Sequence, residues 1–303
     1  MHPLKLIISH SMKSAIDLHT HTNESDGEFT PEQLVDTALN AGVKILAITD
    51  HETVSAVERA IIHAKGKSIE IIPGIEISCD EKEKGYTEVH VLGLFIDHKN
   101  KKLKAFCDSV HNERITQKKE MIRKLQTLGF DITFDEVARL VGYSFGRPHI
   151  ARVLMQKYPE KFPTTQSVFD HYIGTGKAAY VERSDRVWIK DAISLIQGAG
   201  GIPVLAHPGV FRKDDAAQLI DYFVACGGKG IETYYSYDLV NGLTKKDSDG
   251  LGVFFRSLAK KHHILESGGS DYHGKKVRPT VSVGSTFVPL SVMQKMKAVC
   301  DGR

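Results

Sequence analysis

The run Val43-Lys44-Ile45-Leu46-Ala47-Ile48-Thr49-Asp50-His51 settles the class of fold. A short apolar, β-branched stretch of this length is a buried strand. This one stops abruptly on a carboxylic acid and an imidazole. Upstream, Thr30-Pro31 supplies an N-cap and a proline at the first helical position, and Gly42 closes that helix just before the strand. Ala15-Ile16-Asp17-Leu18 is a short strand before the helix, and residues 54–65 are helical after the run. Strands follow over residues 69–77 and 88–95. Strands alternating with helices predict a parallel sheet covered by helices.

From residue 99 the pattern turns helical. A long polar helix runs through Leu128 and ends at Gly129, with shorter helices near residues 134–141, 149–158 and 166–173. The alternation resumes at Asp191, with strands over 202–206, 230–233 and 264–266 and helices over 191–199, 214–226 and 252–262. The expected architecture is α/β, a β/α barrel of residues 1–98 and 187–303 interrupted by a helical segment of residues 99–186. Charge divides in the same place. Residues 99–186 hold 17 Lys and Arg against 10 Asp and Glu, and the remainder holds 23 against 27. A basic cover on an acidic barrel suits an anionic substrate near cations. The lysines of residues 99–124 read more simply as a solvated helix face.

With 41% hydrophobic and 25% charged residues among 303, disorder is excluded. No stretch approaches the eighteen apolar residues of a membrane span, and the run from Leu4 to Ile8 is too short for a secretory signal. Cys79, Cys107, Cys226 and Cys300 lie far apart without a CxxC, which predicts reduced thiols and a cytoplasmic setting.

Position gives the histidines their meaning. With 15 His in 303 residues, the pair His19-Thr20-His21 is nearly expected by chance. It stands, however, where the first strand runs out. Asp50-His51 follows the second strand, and Glu76 ends the run Ile71-Ile72-Pro73-Gly74-Ile75. His207 follows Val204-Leu205-Ala206, and Asp271 and His273 follow the last strand. His90 interrupts an alternating strand, and Asp26 lies five residues beyond the HxH pair. Barrels build active sites at the C-terminal ends of their strands. At least six imidazoles and three carboxylates without a thiolate suit Zn²⁺, Mn²⁺ or Fe²⁺ and exceed the needs of one ion. Two or three ions around a shared carboxylate would perform metal-assisted hydrolysis.

In order, His19-Thr20-His21…Asp26-Gly27, Thr49-Asp50-His51, Pro73-Gly74-Ile75-Glu76, Val89-His90, Ala206-His207-Pro208 and Ser270-Asp271-Tyr272-His273-Gly274 resemble the PHP (polymerase and histidinol phosphatase) superfamily. The resemblance implies a distorted seven-stranded β/α barrel with a trinuclear site. It implies that His19, His21 and Asp271 hold a first metal and that Glu76 bridges to a second. His90 and His207 complete the second, and Asp26, His51 and His273 hold the third. Glu52 departs from the aspartate usual after the TDH motif.

Within residues 99–186, Phe145-Gly146-Arg147-Pro148-His149-Ile150-Ala151-Arg152 and Gly174-Thr175-Gly176-Lys177-Ala178-Ala179-Tyr180-Val181 resemble one branch. That branch comprises nucleoside 3′,5′-bisphosphate phosphatases and 5′→3′ exonucleases of short RNA. Ala178 stands where most relatives have proline. The resemblance implies that the helical segment caps the barrel and that Arg147 and His149 reach the substrate phosphate. Arg147 is a planar fork suited to two phosphate oxygens. Lys177, in a glycine-rich turn, reads equally as a phosphate contact and as a solvated loop lysine.

The expected activity is therefore that of a metal-dependent phosphoesterase acting on a 3′,5′-nucleoside bisphosphate or a short 5′-phosphorylated RNA. Metal-bound hydroxide would attack phosphorus in line, with His149 or His273 assisting the leaving group. Two to three divalent ions are expected, Mn²⁺ foremost and Fe²⁺ or Zn²⁺ as alternatives, with no membrane and no obligate protein partner. Histidinol phosphate phosphatase, a polymerase-associated proofreading module and a non-catalytic nucleotide or RNA binder are the rival readings. Glu232, ending its strand, reads as either a support for the site or a loop carboxylate. Tyr234-Tyr235-Ser236-Tyr237 reads as packing beneath a loop before it reads as a base platform.

Overall fold

The computed structural model describes residues 14–140, 146–182 and 187–302. The run from Leu4 to Ile8, Phe145 and the boundary at Arg186 lie outside them. The chain opens with β1 (Ile16–Asp17), α1 (Pro31–Ala41), β2 (Ile45–Ile48) and α2 (Ser55–Ala64). Thr30 caps α1 through a reciprocal pair of hydrogen bonds with Gln33, and Gly42 ends it with φ of 86°.

The next strands, β3 (Glu70–Glu81) and β4 (Tyr86–Leu94), are joined by a single turn at residues 82–84. A connection that short admits no crossover, so the two strands pair antiparallel. β4 is antiparallel to β5 (Ile202–Leu205) as well. The sheet is mixed where an all-parallel one was expected.

Beyond β4 come α3 (Lys101–Thr127), α4 (Phe134–Ala138), α5 (Arg147–Lys157) and α6 (Thr165–Val168), then α7 (Ile189–Gly198). Residues of α3 to α6 gather their own core around Met121, Leu125, Ile132, Leu154 and Phe162. After β5 follow α8 (Lys213–Ala225), β6 (Gly230–Tyr234), α9 (Tyr237–Val240), α10 (Lys245–His262), β7 (Leu265–Gly268) and α11 (Leu290–Asp301).

The seven strands lie in sequence order. Backbone hydrogen bonds bring the first and last together. Leu18 donates to Gly268 (3.2 Å), Asp271 to His19 (2.8 Å) and His21 to Tyr272 (2.9 Å). Gly269 permits this approach, since a Cβ there would lie 2.4 Å from the His19 nitrogen.

Period-2 alternation divides the strand residues between two cores. Leu46, Ile77, Val91 and Leu205 pack outward against the helices. Ala47, Ile72, Leu92, Leu94, Ile202 and Val204 form an inner cluster, joined by Val292, Met293 and Met296 of α11. That C-terminal helix was not anticipated from the sequence. It covers a cluster that includes Ile202 and Leu265, the first residues of β5 and β7, which leaves the strands' other ends for polar groups.

Candidate active site

All nine residues read as ligands converge there. Four groups bring ligand atoms within 4.8 Å of one another: His21, Asp26, His51 and His273; His19, His21 and Glu76; His19, His207 and Asp271; His51, Glu76 and His90. Alternation explains two of them. Glu76 lies on the face of Ile72, and His90 on the face of Leu92 and Leu94.

Glu76 is buried at the centre and uses its two oxygens differently. Oε1 accepts from Nδ1 of His90 (2.9 Å) and lies 3.2 Å from Nε2 of His207. Oε2 faces Nε2 of His19 (3.2 Å), Nε2 of His21 (3.1 Å) and Nδ1 of His51 (3.3 Å). Asp271 turns Oδ1 to His19, His21 and His273 at 3.3–3.4 Å. Its Oδ2 accepts from the Tyr235 hydroxyl (2.8 Å) and from the Arg278 guanidinium. Asp26 lies 3.3 Å from Nε2 of His273, whose Nδ1–H donates to the Asp271 carbonyl (2.9 Å).

The loops bearing these groups are tied from behind. Buried Asp50 accepts from the backbone and hydroxyl of Thr22 (2.7 Å each) and from Ser25 (2.5 Å), fixing the loop that carries Asp26. Buried Asp17 accepts from Ser270 (2.8 and 2.6 Å) and Gly284 (2.8 Å). Glu52 accepts from the Ser78 amide (2.8 Å) and pairs with Arg114 of α3.

Charge and burial compete throughout. Burial opposes ionisation of Glu76, yet His19, His51 and His90 hold its carboxyl well below the usual range. Burial disfavours charge on His21, but its bonds to Asp271 and Glu76 lift it to about 10. Burial prevails at His51, which is pushed down to about 4. These groups demand positive charge among them. Nε2 of His19 and Nε2 of His21 confront each other at 3.1 Å. Nδ1 of His21, Oδ1 of Asp26, Nδ1 of His51 and Nδ1 of His207 are buried without a hydrogen-bond partner. Orphaned nitrogen and oxygen atoms converging without a thiolate fit divalent ions of the Mn²⁺, Fe²⁺ or Zn²⁺ type.

A cleft of about 370 Å³ opens from this cluster, lined by Asp26, His51 and His90 of the cluster, by Arg114, Lys118 and Arg147 of the helical segment, and by Asp80, Glu88 and Glu182. Arg147, the first residue of α5, stands over the rings of Phe169 (5.5 Å) and Tyr180 (5.6 Å). His149 is buried, and its Nδ1 accepts the Gly146 amide proton (3.1 Å). Burial, aided by Arg152, holds its pKa below the ordinary value. Lys177 is exposed on its turn and is not among the residues lining the cleft.

Lys118 was read with the other lysines as part of a solvated face, but it is buried, and Arg114 was not singled out. The missed signal is spacing: Val110, Arg114, Gln117 and Met121 recur at helical intervals on the face of α3 that packs inward. Tyr235 and Tyr237 are buried, as packing requires, and the Tyr237 hydroxyl accepts from the Gly209 amide (2.8 Å).

A family model described as "PHP domain" matches residues 17–185. A 5′-3′ exoribonuclease of Haemophilus influenzae is 34% identical over 264 residues, covering 86% of this chain and 91% of that protein. A 3′,5′-nucleoside bisphosphate phosphatase of Chromobacterium violaceum is 32% identical over 266 residues, covering 85% and 87%. A solved structure described as a metal-dependent phosphoesterase of Bifidobacterium adolescentis superposes with a TM-score of 0.78 at 25% identity, covering 93% of this chain and 95% of that one.

Proposed function

Because this chain belongs to the PHP domain family, whose relatives here are metal-dependent phosphoesterases, we propose that it hydrolyses a phosphate ester of a nucleotide, either a 3′,5′-nucleoside bisphosphate or a short 5′-phosphorylated RNA. One observation carries the reading: nine converging candidate ligand residues, several with orphaned buried atoms, open onto a cleft that Arg114, Lys118 and Arg147 also line. His19, His21 and Asp271 would hold one ion, His90 and His207 a second, and Asp26, His51 and His273 a third, with Glu76 between the first two. Such ions supply Lewis acidity at a phosphoryl oxygen and lower the pKa of a bound water.

The protein's own groups then bind and orient the ester. Arg147 offers two parallel N–H donors to phosphate oxygens, and the rings of Phe169 and Tyr180 hold its plane in place before substrate arrives. Nδ1 of His149 is occupied as an acceptor, so its proton is on Nε2. Held neutral by burial, His149 is a hydrogen-bond donor to substrate in preference to a proton source. His273 has Nδ1 engaged with the Asp271 carbonyl and Nε2 facing Asp26, which suits a ligand better than an acid. Lys177 would contact only a part of the substrate extending beyond the cleft. In the reaction water adds to phosphorus, the bond to the leaving oxygen breaks, and that oxygen gains a proton.

Residues 99–186 would act as the substrate-capping segment. Among the described residues no helix is long and apolar enough to cross a membrane. All four cysteines are free, consistent with a cytoplasmic setting.

Phosphate release from adenosine 3′,5′-bisphosphate and nucleotide release from a short 5′-phosphorylated RNA, each in Mn²⁺, test the reading, with histidinol phosphate in parallel. Turnover of a nucleotide substrate is expected. Turnover of histidinol phosphate alone would overturn the assignment.

A further inference from the structure

Glu232 is the middle residue of β6 on the inner side of the sheet, fully buried, and belongs to none of the four ligand groups. Its carboxylate faces outward-directed atoms of two of them. Both oxygens lie 3.2 Å from Nδ1 of His19, and Oε2 accepts the backbone N–H of His207 at 2.7 Å.

A carboxylate can only accept, so Nδ1 of His19 carries a proton. The free electron pair needed for a metal then resides on Nε2, the nitrogen that points to Glu76 (3.2 Å) and Asp271 (3.4 Å). The second bond acts on backbone. His207 adopts a φ of +27°, which a residue with a side chain rarely does. The bond from its amide to Glu232 anchors that conformation. From there the imidazole projects so that Nε2 lies 3.2 Å from the other oxygen of Glu76.

We propose that Glu232 is a positioning residue of the metal centre, a single carboxylate that sets the tautomer of His19 and the backbone of His207 together. Two imidazoles from β1 and β5 thereby present Nε2 to opposite oxygens of Glu76. The inference rests on the metal-centre reading above and adds to it a group that touches neither metal nor substrate. Asp26, His51 and His273 are reached from Glu232 only through His19, His21 and Glu76.

Glu232→Gln tests this with almost no change in volume. The amide keeps one good acceptor and puts an NH₂ where the second oxygen was. With its oxygen at the Oε2 position it still accepts from the His207 amide, but its NH₂ then stands at the Oε1 position, 3.2 Å from Nδ1 of His19, donor against donor. An NH₂ facing His19 moves that proton to Nε2, where a metal must bind. Mn²⁺ binding would be followed by electron paramagnetic resonance of the free ion, with circular dichroism and thermal unfolding of the metal-stripped proteins alongside. The expected result is Mn²⁺ binding weakened 10- to 100-fold in a variant whose metal-free fold and unfolding temperature match the wild type. The His19 tautomer, read from imidazole ¹⁵N shifts of the Zn²⁺-loaded proteins, should change with it, which simple loosening would not cause.

Equal affinity in the variant and the wild type would overturn the proposal while the metal centre stands. Wild-type protein that binds no Mn²⁺, Fe²⁺ or Zn²⁺ would overturn both. If Glu232→Gln does not fold, Glu232→Asp serves. Its carboxylate falls one methylene short of spanning both partners, and wild-type affinity in that variant would equally overturn the proposal.

Discussion

At the sheet's end, His19, Glu76 and Asp271 are buried, and each is fixed by two or more polar partners from distant segments of the chain. On the helical side of the cleft, the Arg147 guanidinium lies over the rings of Phe169 and Tyr180, and Arg114 pairs with Glu52. The first side is a set of mutually dependent groups in a low-dielectric interior. The second is built of single side chains on helices, each with its own support. Loss of one member should therefore be disabling on the sheet side and graded on the helical side.

The sharpest way to break that contrast is His19→Ala. It removes an imidazole that contacts Glu76, Asp271 and His21, and turnover is expected to fall below detection together with bound Mn²⁺, measured by elemental analysis. Full activity in this variant would refute the metal assignment. Arg147→Ala should cost about 2–4 kcal/mol in kcat/KM, the scale of a lost charge-assisted contact, with metal content unchanged. Arg147→Lys should recover little of it, because an ammonium cannot make the forked contact.

A pH series sharpens the same comparison. In the metal-free protein, His21 titrates near 10 against an ordinary value of 6.5, since its bonds to Asp271 and Glu76 outweigh burial. A group raised in the folded state stabilises fully below its unfolded pKa and loses that contribution as pH rises through the folded value. The metal-free Tm should therefore fall between about pH 6.5 and 10, and the increment in Tm on adding Mn²⁺ should grow over the same interval. Calorimetry with and without the ion checks both signs. The smallest effect is expected for Phe169→Leu, which leaves Arg147 in place but removes one ring face. A loss of about 0.5–1 kcal/mol in kcat/KM is anticipated, typical of a partly exposed cation–π contact.

Legibility followed the same division. Strand ends could be located from apolar runs for His19, His51, His207 and Asp271, whereas Glu76 ends such a run but lies inside β3, which continues to Glu81. His90 and Glu76 could be assigned inward from period 2 alone. The capped helix from Pro31 to Ala41 was likewise readable, because Thr30 and Gly42 act locally. The antiparallel course of β4 was not, although the short link before it was visible. Arg114 escaped because a cation on a polar helix looks the same whether its partner is water or Glu52, some sixty residues earlier. Tyr235 and Arg278, which secure Oδ2 of Asp271, carry no spacing signal at all.

The sequence by itself determined the alternation of elements, the division of charge and the residue types gathered at strand ends, since these depend on neighbours a few positions apart. Only the tertiary structure decided which oxygen of Glu76 faces which imidazole, that Glu232 backs His19 and His207, and that Arg147 lies over Phe169 and Tyr180. Those arrangements join residues tens to hundreds of positions apart, and their geometry exists only once the sheet has brought its first and last strands together.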